Sequence, residues 1–295
     1  MRITEGMMSD NFVQSYDKLS QSISKLQVEE ATGYKINTLS DDVSGSLQIV
    51  KINTDLKKNA TYTDNVATAT SYLNNSLSAL DSVRTEVENV ISAVTSANNA
   101  LNSTNMDTLL QSIKNSMAAI VQSLNTKQNG MYLFGGTNCT SAPFSVDTDG
   151  KGVVTANDIS GQVKVPLSQN VTEAMNIPGT QITATGIITS INKVINDLKA
   201  GTAPDSTAQS DLQNAYSSLT NVESLAGGKV NRLTDLNTML TNQKTILTSM
   251  LNNTQNADTV QLQIDLSNQQ YLLDASSKAF GQSTSKSLLD YLPVG

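Results

Sequence analysis

Three places in the chain hold residues that could do chemistry. Asp41-Asp42 is a pair of adjacent carboxylates, the raw material of general acid–base catalysis. Asp147-Thr148-Asp149-Gly150-Lys151-Gly152 has the acid–glycine rhythm of a calcium loop. Cys139 is a lone thiol. Each has a plainer reading. Adjacent residues on a helix do not face each other, and Ser40-Asp41-Asp42 sits where a helix starting at Val43 needs a cap. If the loop is aligned on Gly150, the first ligand position is Ser145 and the last is Ala156, where a bidentate Glu belongs. An Asp-Gly hairpin turn accounts for the same residues. Cys139 has no histidine to activate it, because the chain contains none. Without histidine the commonest general base and the commonest transition-metal ligand are both missing, so neither an enzyme nor a bound cofactor or metal is expected.

Composition supports a non-catalytic reading. The 295 residues are 38% hydrophobic, 4% aromatic and 15% charged, which is thin for a compact core and adequate for helices that each bury a narrow stripe. A net charge of −7 argues against nucleic acid as a partner. No apolar run is long enough to span a membrane, and the first residues lack the pattern of a cleaved signal peptide. A surface rich in Asn, Ser, Thr and Gln can pack against copies of itself with little charge repulsion.

The elements that position these residues are mostly helical. Phe12, Tyr16, Leu19, Ile23 and Leu26 recur at spacings of four and three, the stripe of a helix that pairs with another. Gly33 breaks that helix. Val66, Leu73, Leu80, Val87, Val94 and Leu101 then follow a seven-residue interval, predicting a helix over about 64–102 that is roughly 60 Å long. Asn102–Asn105 makes a turn, and Met106, Leu110, Ile113, Met117, Ile120 and Leu124 predict a second helix, antiparallel to the first and closed by Asn129-Gly130.

From Gly130 the period changes. Met131-Tyr132-Leu133-Phe134 alternates before Gly135-Gly136, and Val153-Val154, Val163 with Val165, and Ile182 read as short strands. Helix returns near Gly186. It carries Ile187, Ile191, Val194 and Leu198, restarts at Ala203-Pro204-Asp205, and is expected to be interrupted at Gly227-Gly228. The last helix, about 257–291, has two apolar lines: Ile264, Tyr271, Ala275, Leu289 and Leu292, and beside it Leu262, Leu266, Leu273 and Phe280. Two narrow lines suit a helix that touches two neighbours.

Several of these stretches together resemble the flagellin superfamily. They are Met1-Arg2-Ile3-Thr4 with Met7-Met8, Thr32-Gly33, Ile36-Asn37 and Ser40-Asp41-Asp42 at the start. Gly130–Thr137 with Ala142-Pro143-Phe144 and Asn176-Ile177-Pro178-Gly179 follow in the middle, and Ser287–Leu292 at the end. Met7-Met8 and the central motif are more similar to the hook–filament junction branch, hook-associated protein 3, than to flagellin. Val43 departs from that branch, which often has Pro there.

The resemblance implies a mainly α chain with a small β-rich insert: an elongated helical bundle with paired terminal coiled-coil helices. The expected divisions are an N-terminal assembly helix and linker at 1–45, a bundle at 46–130 and 187–255, an outer insert at 131–186, and a C-terminal assembly helix at 256–295. It implies an assembly interface of Ile3, Met7, Met8, Phe12, Tyr16, Leu19, Ile23, Leu26, Ile264, Tyr271, Ala275, Leu289 and Leu292. It further implies a secreted, extracellular structural component of the bacterial flagellum, exported without a cleaved signal. Its partners would be copies of itself in a ring, a second hook-associated protein on the hook side, flagellin on the filament side and an export chaperone, with neither nucleic acid nor membrane. Filament-forming flagellin, or a rod of this kind carrying an adhesive or enzymatic insert, are the alternatives.

Overall fold

The computed structural model of the chain describes residues 5–99, 106–155 and 158–285. The expected turn at Asn102–Asn105, and Leu101, Ile3, Leu289 and Leu292, lie outside them. Its elements divide into two compact units, one of residues 1–57 with 244–295 and one of 58–243.

In the first unit, α1 (Glu5–Thr32) packs on α7 (Thr259–Ser285). The helices stop where their backbones can be held otherwise. Gly33 takes a positive φ of 73° after α1, and its carbonyl accepts a hydrogen bond from Ala257 N at 2.9 Å. Lys35 N donates to Gln255 O at 2.8 Å, and the Lys35 ammonium donates to Asn253 O at 3.2 Å. Two breaks remote in sequence thus pair as one short antiparallel bridge and satisfy each other's orphan groups. The first turns of α2 (Val43–Asn99) and the last of α6 (Ser206–Gln255) complete this unit.

The acidic pair at its loop divides the work. Asp42 Oδ1 accepts from Gly45 N at 3.0 Å and caps α2. Asp41 pins the loop instead, with Oδ2 accepting from Asn37 N, Thr38 N and the Thr38 hydroxyl at 2.8–3.1 Å. The backbone N–H of Thr38, then that of Asn37, hold its carboxyl down at about 2. The expected cap is therefore Asp42 alone.

In the second unit, the heptad positions Val66, Leu73, Leu80, Val87 and Val94 of α2 are all buried. So are Ile113, Met117, Ile120 and Leu124 of α3 (Met106–Leu124). Helix α6 runs antiparallel to α2: Arg84 pairs with Glu223, Tyr216 OH donates to Glu88, and Gln209 donates to Thr95. Hydroxyls are bonded within their own helix. Thr63, Thr68, Thr85 and Thr95 of α2, and Ser210, Ser217, Thr234 and Thr238 of α6, each donate to the carbonyl four residues back.

Three expectations are corrected here and one is extended: the helix expected from Val43 behind the Asp42 cap runs on without a break through the heptads expected from about 64. Asn129-Gly130 does not end a helix. α3 stops at Leu124, and Asn129 (φ 52°) with Gly130 (φ 81°) forms the two-residue turn joining β1 (Lys127–Gln128) to β2 (Met131–Tyr132). Ile182 is buried in α4 (Gly179–Ala184), a short helix that starts directly after Pro178, its extended N-cap residue. Helix α6 passes through Gly227-Gly228 unbroken; Ala226 and Leu233 are buried on either side and outweigh the low propensity of two glycines.

Among the described residues the β segments form three two-stranded hairpins: β1–β2, β3 (Phe144–Val146) with β4 (Gly152–Val154), and β5 (Lys164–Ser168) with β6 (Val171–Ala174). They are anchored by the central motif. Leu133 and Phe134 are fully buried, and the Tyr72 hydroxyl donates to the carbonyls of Tyr132 and Leu133 at 3.2 and 3.1 Å. Burial pushes that phenol up to about 12. A side chain at Gly179 would meet Phe134 O at 2.5 Å, so the backbones touch only because no Cβ is present. β4 is tied to α5 (Ile187–Lys199) by the Asn192 amide, which accepts from Gly152 N and donates to Gly152 O, both at 2.9 Å.

Candidate assembly surface

Helix α1 is amphipathic without a core of its own. Phe12, Leu19, Ile23 and Leu26 are half-buried, and among the described residues of α1 none is fully buried. Opposite them α7 presents a line at spacings of four and three. It comprises Leu262, which is buried, with Leu266, Gln269, Leu273, Ser276 and Phe280, which are half-buried. The rings of Phe12 and Phe280 stack with centroids 4.0 Å apart and planes 9° from parallel, and Phe12 meets Tyr16 at 6.0 Å.

The residues singled out from sequence therefore fall on two sides. Phe12, Leu19, Ile23 and Leu26 lie in the α1–α7 seam, with Tyr16 at its edge. The seam line of α7 is the one through Leu262 and Phe280. Ile264 is 50% exposed and Tyr271 73% exposed, on the line turned away from α1, and Ala275 is half-buried between the two. Val260 and Leu272 are exposed beside them, as are Met7, Met8 and Val13 on α1. A helix pair this thin still presents two apolar faces to the outside.

A second surface was not read from sequence. The loop after α1 and the first turns of α2 border an open groove of about 310 Å³ lined by Ile36, Leu39, Leu47, Ile49 and Val50 together with Asn37, Thr38, Ser46 and Gln255. Val43, Leu47 and Val50 repeat at four and three, a signal visible in the sequence but masked by the stronger heptads downstream.

The three chemistry-bearing stretches are otherwise engaged. Asp147 Oδ1 accepts from Asp149 N and Lys151 N at 2.9 and 2.8 Å, the turn of the β3–β4 hairpin. Asp149 is bound by Lys199 at 2.6 Å and Lys151 at 3.4 Å, and the Lys199 ammonium in the first place holds its carboxyl below the usual range. Two lysines occupy the charge a cation would need. Among the described residues no cluster of three His, Cys, Asp or Glu could hold a metal ion. Cys139 is half-buried, and its carbonyl accepts from Tyr132 N at 2.9 Å. Among the described residues no helix is long and apolar enough to cross a membrane.

Residues 3–139 match the bacterial flagellin N-terminal helical region. Over that N-terminal stretch the chain is similar to bacterial flagellin. No curated protein matches the sequence. Among solved structures, a similar fold is found in a flagellar hook-associated protein of Vibrio parahaemolyticus, at a TM-score of 0.63 and 20% identity, covering 73% of this chain and 100% of that one. Hook-associated protein 3 of Legionella pneumophila gives 0.62 at 13% identity, covering 70% and 98%. FlgL of Bacillus cereus gives 0.56 at 18% identity, covering 67% and 97%. At these identities the likeness is one of fold, mainly α with small antiparallel strand pairs, as the sequence implied.

Proposed function

We propose that this chain is a flagellin-superfamily protein and a structural component of the bacterial flagellum, forming the junction between hook and filament and assembling through its terminal helices. One observation carries the reading: α1 and α7 bury one another on a single line and leave apolar side chains, Ile264 and Tyr271 foremost, in solvent. Isolated helices of this kind are marginal until a further surface covers them. The fold shared with hook-associated proteins supports the junction in preference to the filament.

On this reading the assembly interface comprises Met7, Met8, Phe12, Tyr16, Leu19, Ile23, Leu26, Ile264, Tyr271 and Ala275, with Ile3, Leu289 and Leu292 joining it from outside the described residues. Copies of the chain form a ring with a second hook-associated protein on one side and flagellin on the other, outside the cell after export with a chaperone's help. The 1–45 and 256–295 segments serve assembly, 46–130 with 187–255 the bundle, and 131–186 the outer face. Filament-forming flagellin is the second reading, favoured by the flagellin match over residues 3–139. A deletion strain separates them. Loss of a junction protein leaves hooks intact and releases flagellin monomers into the medium. Loss of a flagellin leaves no major filament protein to release.

A further inference from the structure

We infer that Asn59 is a register lock, holding α2 and α6 in one alignment at a cost in stability. The buried line of α2 through Leu80, Leu73 and Val66 runs back seven residues at a time to Asn59 and then to Ile52. Asn59 is 3% exposed, and it is polar where every other position of that line from Ile52 to Val94 is aliphatic. A matching line repeats at the same interval on α6: Leu212, Leu219, Ala226, Leu233 and Leu240, all buried and all apolar.

Two helices with the same seven-residue interval share a weakness. Sliding one past the other by seven residues, about 10 Å, returns each apolar side chain to an equivalent neighbour. Residues 200–205, which join α5 to α6, span up to about 20 Å when extended, so the connection permits the slip. Nor do the charges between the helices forbid it. Arg84 keeps Asp81 and Glu88 of its own helix as partners when Glu223 moves away. Ser76, the other buried polar side chain among the described residues of α2, donates to Tyr72 O of its own helix at 2.9 Å and is indifferent to where α6 stands.

Asn59 is not indifferent. Its Nδ2 donates to Leu240 O at 3.0 Å and to Gln243 Oε1 at 3.3 Å, so each of its two hydrogens has an acceptor. A slip of seven residues offers another backbone carbonyl but puts Leu236 or Met250 in the place of Gln243, and one buried hydrogen is left without an acceptor. The arrangement is not the most stable one. Asn59 Oδ1 is buried with no hydrogen-bond partner among the described residues, a penalty that an aliphatic side chain would not carry. An amide on such a line lowers stability while excluding other alignments.

The test is Asn59→Leu, close to asparagine in volume, in the purified full chain carrying Cys139→Ser. Spin labels at Ser78→Cys on α2 and Asn242→Cys on α6, both exposed, report the alignment by pulsed dipolar spectroscopy. Asn242 adjoins Gln243, the partner of Asn59, and Ser78 lies nineteen residues, about 28 Å, further along α2. With Asn59 in place the labels should give one distance. After refolding, Asn59→Leu should add a second, displaced by about 10 Å, and raise the melting midpoint by about 2 °C or more. Gln243→Leu, at an exposed position, should also show the second distance with Asn59 intact. A single unshifted distance for either variant overturns the inference, because the register is then set without the amide pair. Two distances with Asn59 and Gln243 both present overturn it as well. Should Asn59→Leu fail to fold, the smaller Asn59→Val is judged by the same distances. A midpoint that falls in both overturns the inference, since the amide is then an ordinary stabilising contact.

Discussion

Replacing Ile23 with aspartate separates assembly from monomer folding. Ile23 is half-buried in the α1–α7 seam, so the substitution forfeits roughly 1 kcal/mol of apolar burial, about half that of a fully buried isoleucine. An unpaired carboxylate in a partly wet seam costs about 1–3 kcal/mol more. A loss of about 2–4 kcal/mol falls on a pair with a single fully buried side chain, Leu262, among its described residues. That is enough to open it. The unit of residues 58–243 contains none of the seam residues and keeps its own core, from Val66 to Leu240. Since each kcal/mol moves the melting midpoint of a unit this large by about 2–4 °C, its main transition should shift by less than about 2 °C. The assay is circular-dichroism melting of the purified full chain, amide exchange over α1, and incorporation at the hook. Ile120→Asp, at a fully buried position of α3, is the control and should not fold. A main transition lowered by more than about 4 °C for Ile23→Asp, or exchange in α1 left unchanged, refutes the reasoning.

In the wild-type monomer, amides of α1 and α7 should exchange quickly while those of α3 and of α2 beyond Asp64 are protected; equal protection throughout contradicts the thin seam. Gly179→Ala should lower stability by about 1–3 kcal/mol, because the new methyl lies 2.5 Å from Phe134 O, and chemical denaturation reads this directly. Gly227→Ala and Gly228→Ala meet nothing within 4 Å and should each stabilise the monomer by about 1 kcal/mol; if incorporation then falls, another chain approaches that stretch closely. Burial raises the pKa of Glu223, whose Oε1 has no hydrogen-bond partner, so Glu223→Gln should raise the melting midpoint at neutral pH. Asp41 has the opposite sign. Its folded pKa is depressed to about 2, so the loop contribution is fully present above the unfolded value near 4 and is lost as pH falls toward 2. The amide signals of Asn37 and Thr38 should report that change.

Much of this architecture was legible in the sequence, because helical stripes depend only on spacing. The heptads of α2, the stripe of α3 and the Asp-Gly turn between β3 and β4 all follow from local rules. What the sequence left open was which neighbour each stripe meets. Both lines on α7 were visible, yet nothing local says that Leu262, Leu273 and Phe280 face α1 while Tyr271 faces away. The bridge from Gly33 to Ala257 joins breaks more than two hundred residues apart, and no spacing rule reaches that far. Asn129-Gly130 suits a helix end and a hairpin turn equally, and the choice fell to Thr126, whose carbonyl accepts from Leu133 N at 3.0 Å. Gly227-Gly228 reads as a break until buried residues on both sides hold the helix together.

The hydroxyls bonded back along α2 and α6 bear on how easily these helices can be dried. A serine or threonine that donates to the carbonyl one turn earlier has already placed its hydrogen, and it asks nothing of water or of an incoming neighbour. Covering such a face strands no donor, whereas covering lysine and glutamate would cost several kcal/mol for each unpaired charge. Where these hydroxyls lie, the helices are polar enough to stay dispersed while alone, yet the hydroxyls need no new partner when another molecule closes over them. A polar face of this kind separates solubility from the desolvation cost of contact.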